Sequence, residues 1–147
     1  MPRNSVAYDD DFFAWTQEQA RLLRDGELTG IDATNLAEEI DSVGRSDRRE
    51  IRNRLIVLLT HLLKWRFQPE RRSPSWSDTI QEQRLSIDSV LADSPSLRPF
   101  FAEVLADAYG RARSNAARET RMELLAFPPE CPFTPEQILS EDFLPED

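Results

Sequence analysis

With 147 residues, 39% of them apolar, 31% charged and only four glycines, the chain has the make-up of one folded helical domain. A disordered, collagenous or repetitive chain would be composed differently. The net charge of −9 weighs against general nucleic-acid binding, because most of such a surface repels a duplex. No apolar run reaches the roughly 18 residues that a membrane helix needs, and the opening "MPRNSVAYDDDFF" lacks the apolar centre of a signal peptide, so a cytoplasmic protein with no membrane contact is expected.

The elements follow one another closely. "YDDDFFAWTQEQARLLRDG" predicts a helix that opens on acidic residues suited to its N-terminus, carries Phe12, Trp15, Leu22 and Leu23 as its apolar stripe, and closes on Gly26. "DATNLAEEIDSVG" predicts a second helix capped by Asp32, with Leu36, Ile40 and Val43 at helical spacing and Gly44 as its end. A third runs from Ser46 to about Phe67 and is stopped by Pro69. Its broad face of Ile51, Leu55, Leu59, Leu62 and Leu63 marks a central helix with neighbours on several sides.

Ser73 with Pro74 caps the next helix, whose core stripe is Trp76, Ile80, Ile87, Val90 and Leu91. Beyond Pro99, Phe101, Leu105, Ala108, Ala112 and Ala116 form a narrow stripe that lets a neighbouring helix approach closely. After Met122 the texture changes to a proline-rich stretch, in which Thr134-Pro135-Glu136-Gln137 is a capping box for a short helix. Phe127, Phe133 and Phe143 read this stretch as an arm that packs back. No alternating strand pattern is found. The expected architecture is all-α and a single domain over 1–147: a compact bundle of about five main helices over 1–121, with a Pro-rich C-terminal arm over 122–147 packed on it.

Cys131 is the sole cysteine, which excludes an intrachain disulfide, and its "PPECPF" setting has none of the paired spacing of thiolate metal sites. A structural thiol is expected. Charge is unevenly spread: between Arg45 and Arg72 nine basic residues face three acidic ones, a surplus of +6 that leaves −15 for the rest. This basic stretch either lies against acidic neighbours supplied by "EEID" and "DDD", or meets an anionic partner.

Several polar residues fall on or beside apolar faces. Gln83 lies near Ile80, Ile87 and Trp76 and is expected to be buried, as is Gln19 between Phe12, Trp15 and Leu23. Glu39 borders the Leu36/Val43 stripe. His61, the only histidine, shares a heptad-spaced row with Arg54 and Gln68 and stands next to Trp65. If these converge on one pocket, Glu39 and His61 are the candidates for a metal site or for a general acid and base pair. The Glu-x-x-His pairing of di-metal bundles is missing, since Leu58 precedes His61 by three. The simpler reading is a satisfied polar network that fixes helix register, with Arg54 and Glu39 as an ion pair. In "KWRFQPERRSPSW" the basic and aromatic residues interleave as phosphate-binding surfaces do, which makes Arg71 and Arg72 further binding candidates beside Arg54, Gln68, Trp76 and Gln83.

"NLAEEIDSVGRSDRREIRNRL", "HLLKWRFQPERRSPSWSDTIQEQR", "SPSLRPFF" and "FPPECPFTPEQILSEDF", with the opening helix, resemble the bacterial family catalogued as domain of unknown function 29 over nearly the whole chain. The resemblance implies a compact all-helical fold in a prokaryotic cytoplasm, and it includes Glu39, His61, Gln68, Trp76 and Gln83 among the recurring positions. It brings no activity, cofactor or catalytic residue. The leading expectation is a non-enzymatic module that binds another protein or itself, without a cofactor. The alternatives are a small metal-dependent or acid/base enzyme using Glu39, His61 and Gln83, and a polyanion binder using residues 45–72.

Overall fold

The computed structural model describes residues 7–146. The opening stretch read above for an apolar leader therefore lies partly outside the described residues. As expected, the chain is all-helical, with no strand among those residues. The elements are α1 (Phe12–Arg24), α2 (Ala33–Phe67), α3 (Pro74–Asp93), α4 (Arg98–Thr120) and the short α5 (Pro135–Leu139), joined by single 3-10 turns. The chain divides into two compact units, one ending at Ser46 and one beginning at Asp47, so the division falls inside α2.

The first unit holds α1 and the start of α2. Asp11 caps α1 by accepting the Ala14 amide at 3.0 Å, and Gly26 takes the left-handed φ of +72° just past the helix end. Glycine adopts this region freely, whereas Arg121 enters the same region at φ +60° at the end of α4 without that freedom. Trp15, Gln19 and Leu22 are buried, whereas Ile40 and Val43, expected in a stripe with the half-buried Leu36, are 69% and 67% exposed.

Gly44 does not end a helix. The two helices expected on either side of it are one continuous helix of 35 residues, and Gly44 is not among the positive-φ glycines. Glycine permits a left-handed turn but does not impose one. The helix runs through it, and the exposed Arg45–Glu38 pair at 2.8 Å spans it two turns apart.

In the second unit the remainder of α2 is buried almost all round: Ile51, Leu55, Leu58, Leu59, Leu62 and Leu63 have no exposed surface. Ile80, Ile87 and Leu91 of α3 and Phe101, Ala108, Ala112 and Ala116 of α4 share this core, at the spacings read from the sequence. Ser73 caps α3 by accepting the Trp76 amide.

The arm belongs to the same core. Phe127, Phe133 and Ile138 are buried, with Phe127 edge-on to Phe67 of α2. Main-chain carbonyls of the arm are taken by side chains of α3 and α4. Arg84 donates to Ile138 O at 2.7 Å and to Gln137 O at 3.3 Å, Tyr109 to Pro128 O at 2.6 Å, and Arg113 twice to Phe127 O. The predicted capping box of α5 forms in both directions between Thr134 and Gln137.

Candidate functional site

The residues singled out in the sequence fall into several separate clusters, each with its own partners. In the first unit, the Tyr8 hydroxyl donates to the Glu39 carboxylate. That bond, chiefly, together with burial, pushes the Tyr8 phenol up to about 12. Glu39 is therefore an acceptor in a contact that also gathers rings, since Tyr8 packs edge-on against Trp15 and Phe12. Beside it, Asp32 accepts from Trp15 Nε1 at 3.0 Å and Asn35 Nδ2 at 2.8 Å, while its own amide donates to Gln19 Oε1 at 2.7 Å. The bond from Asn35 does most to hold the Asp32 carboxyl below its usual range, with help from Trp15 and against the opposing effect of burial. Gln19 is buried as expected, and its work is to receive the chain where it enters α2.

His61 lies in the second unit, half-buried, with Nδ1 at 2.8 Å from the Val57 carbonyl one turn back. A carbonyl only accepts, so Nδ1 carries the proton and the neutral ring keeps Nε2 as its basic atom. Burial pushes the imidazole below its ordinary value. The Lys64 ammonium adds to this, while the Val57 bond and the Glu119 carboxylate oppose it.

Lys64 and Glu119 were missed in the sequence. Lys64 is 8% exposed, with its ammonium 2.9 Å from Glu119 Oε1 and 4.8 Å from the centre of the Trp76 ring. A helical wheel places Lys64 opposite the leucine face, so no local signal announces its burial; a ring from α3 and a carboxylate from α4 create it. The charges of this pair satisfy each other, and its aromatic neighbour accounts for Trp76 structurally.

Arg54 and Gln83 do meet: Arg54 Nη1 donates to Gln83 Oε1 at 3.3 Å, and Arg54 Nε to Glu50 at 2.9 Å. With Asp47, Ser86, Ser89 and Asp93, Arg54 lines an open groove of about 310 Å³. Two expectations are corrected here. The carboxylate of Arg54 is Glu50, one turn back on its own helix, and Glu39 is taken by Tyr8. Gln83 is only half-buried; the buried polar residue of α3 is its neighbour Arg84, at 2% exposure. Arg84 sits four residues after Ile80 and seven before Leu91, a spacing that places it at the edge of the buried stripe, on the flank opposite Gln83.

Gln68 is half-buried just before the 3-10 turn Pro69–Arg71, Arg71 is exposed, and Arg72 lies over the Trp65 ring at 5.2 Å while donating to the Trp65 carbonyl at 2.7 Å. Much of the basic stretch is matched internally. In the second unit its carboxylates come from Glu50 and from α4, through Asp107 with Arg52 and Glu119 with Lys64. Glu38 of "EEID" pairs with Arg45 at 2.8 Å, as expected of that segment, whereas the pairs of the second unit draw on neither "DDD" nor "EEID". Burial raises the Cys131 thiol above its usual value, in keeping with a structural role. Among the described residues, no three His, Cys, Asp or Glu side chains come together as metal ligands.

No curated protein and no solved structure matches the sequence. The resemblance noted in the motifs is confirmed by a family model covering residues 7–144, and the chain belongs to the family described as Domain of unknown function DUF29.

Proposed function

We propose that the protein is an association module that pairs with a second copy of itself through the exposed face of α2 in the first unit. The observation that carries this reading is the exposure of Ile40 and Val43, at 69% and 67%, one turn apart on a helix. Large apolar side chains grouped on a helical face are the usual seat of helix-to-helix recognition.

The flanking charges favour a copy of the same chain as the occupant. In an antiparallel pairing about the midpoint of Ile40 and Val43, each Ile40 meets the other copy's Val43, and each Glu38 meets its Arg45. Such an interface is self-complementary, as a two-fold dimer requires. Within one chain Glu38 and Arg45 already form an exposed pair, so they can exchange partners at little cost.

Sedimentation equilibrium tests the reading. A concentration-dependent dimer is expected, with at least a tenfold loss of association in Ile40→Glu and in Val43→Glu, since either change sets two carboxylates in an apolar seam. Reversing Glu38→Arg should weaken the dimer, and adding Arg45→Glu should restore it. A chain that stays monomeric at every concentration, and whose photo-crosslinker at position 43 captures no other copy, overturns the proposal.

A further inference from the structure

Three arginines of the second unit come together on a face that includes the Arg52–Asp107 pair. Arg52 of α2 and Arg111 and Arg118 of α4 line an open groove of about 660 Å³, together with Asp107, Gly110, Ser114 and Asn115. The α4 residues at 107, 111, 114, 115 and 118 recur at three- and four-residue intervals and so share one helical face. The groove carries three positive charges against the one carboxylate of Asp107, on a chain whose net charge is −9. It is a local reversal of sign.

The three guanidinium groups are not equivalent. Arg52 is anchored, with Nε and Nη2 at 2.9 and 2.8 Å from the same Asp107 oxygen. Arg118 donates to Asn115 Oδ1 at 3.2 Å, and its one carboxylate neighbour, Glu119, is 4.0 Å away and already holds Lys64 at 2.9 Å. Arg111 is exposed and has no hydrogen bond or ion pair among the described residues. Two guanidinium forks thus retain donors that no carboxylate has taken, and the Ser114 hydroxyl and the Asn115 amide lie beside them.

Gly110 supplies the room. A Cβ built there would meet nothing within 4 Å, so the helix surface between these side chains stays open without any strain in its backbone. The volume falls within the range of small-molecule sites, and guanidinium forks match the oxygen geometry of phosphoryl groups. Arg111 and Arg118 are separated by seven residues, about 10.5 Å along the helix. Their long side chains can converge on an extended ligand with two phosphoryl groups better than on a single small anion.

We infer that the Arg52, Arg111 and Arg118 groove is a binding site for a small molecule carrying a diphosphate group. The occupant is compact because the groove itself is of small-molecule size, and the net charge of −9 on the whole chain disfavours a long polyanion. This site is independent of the proposed pairing face.

The test is a titration of the full chain with inorganic pyrophosphate at constant ionic strength, following the side-chain Nε–H signals of its arginines by NMR. Saturable shifts concentrated at Arg111 and Arg118 are expected. Arg111→Ala and Gly110→Glu should each weaken the binding at least tenfold. Gly110→Glu is the decisive variant: it fills the open space and adds a negative charge, yet it replaces a helical glycine by a better helix former, so its melting temperature should not fall. Shifts that do not saturate, that spread equally to Arg71 and Arg98, that are reproduced by chloride, or that persist unchanged in a folded Gly110→Glu protein overturn the inference.

Discussion

Arg84 and His61 show what burial does to single charged or titratable side chains in this protein. Arg84 satisfies its buried guanidinium with two main-chain carbonyls of the arm, and so ties α3 to a segment more than fifty residues further along the chain. His61 is held neutral by burial, and this makes a prediction with a definite sign. Its folded value lies below the unfolded 6.5, so between the two values the unfolded chain binds more protons and stability rises with pH. The contribution is fully present above about pH 6.5 and is lost as pH falls through the folded value. Urea unfolding at a series of pH values should therefore show a midpoint that drops below pH 6.5, and His61→Gln should flatten part of that slope. An unchanged slope in the variant would place the pH dependence on other groups. The local reading of these residues is uneven: Gln19 is buried as the wheel expects, but the wheel puts Gln83 in the buried face, and the fully buried residue is Arg84. The long apolar stem of arginine, and acceptors contributed from elsewhere, allow that burial.

At the scale of the element, helix identity was carried by apolar spacing, and caps marked most ends. Asp11, Ser73 and Thr134 all cap as their residue types suggest. The exception is instructive. Gly26 and Gly44 present the same residue at the end of a similar pattern, but only Gly26 has a positive φ. The two sites should respond oppositely to alanine. Gly44→Ala has open space around its Cβ and should stabilise the helix by about 0.5–1 kcal/mol. Gly26→Ala also meets no neighbour, but its φ of +72° should cost about 1 kcal/mol or more. Thermal melts of the two variants check both signs, and a loss of stability in Gly44→Ala would mean that the helix breaks there after all.

At the scale of the whole molecule, the C-terminal arm is a structural part of the second unit. Phe127, Phe133 and Ile138 are buried in its core, and roughly 1.5–3 kcal/mol for each such side chain amounts to about 5–9 kcal/mol. Removing residues 122–147 would also strip acceptors from Arg84, Tyr109 and Arg113. Since a typical domain is stable by only about 5–15 kcal/mol, the truncated chain should lose its cooperative melt, which circular dichroism would show directly. A sharp transition retained at nearly the original temperature would contradict the packing described here.

Much of this was determined by the order of residues alone. Apolar positions recurring every three or four residues set the helices and their inward faces, and three phenylalanines in a proline-rich stretch marked an arm that had to be covered. Periodicity is a local property, and local sequence carries it in full. What only the tertiary structure decided is which polar groups are paired. Glu50, and not Glu39, meets Arg54; a ring of α3 and a carboxylate of α4 enclose Lys64; three arginines from two helices come to share one groove. Such pairings depend on how faces from distant segments are set against each other within a few ångströms, and no single helix holds that information.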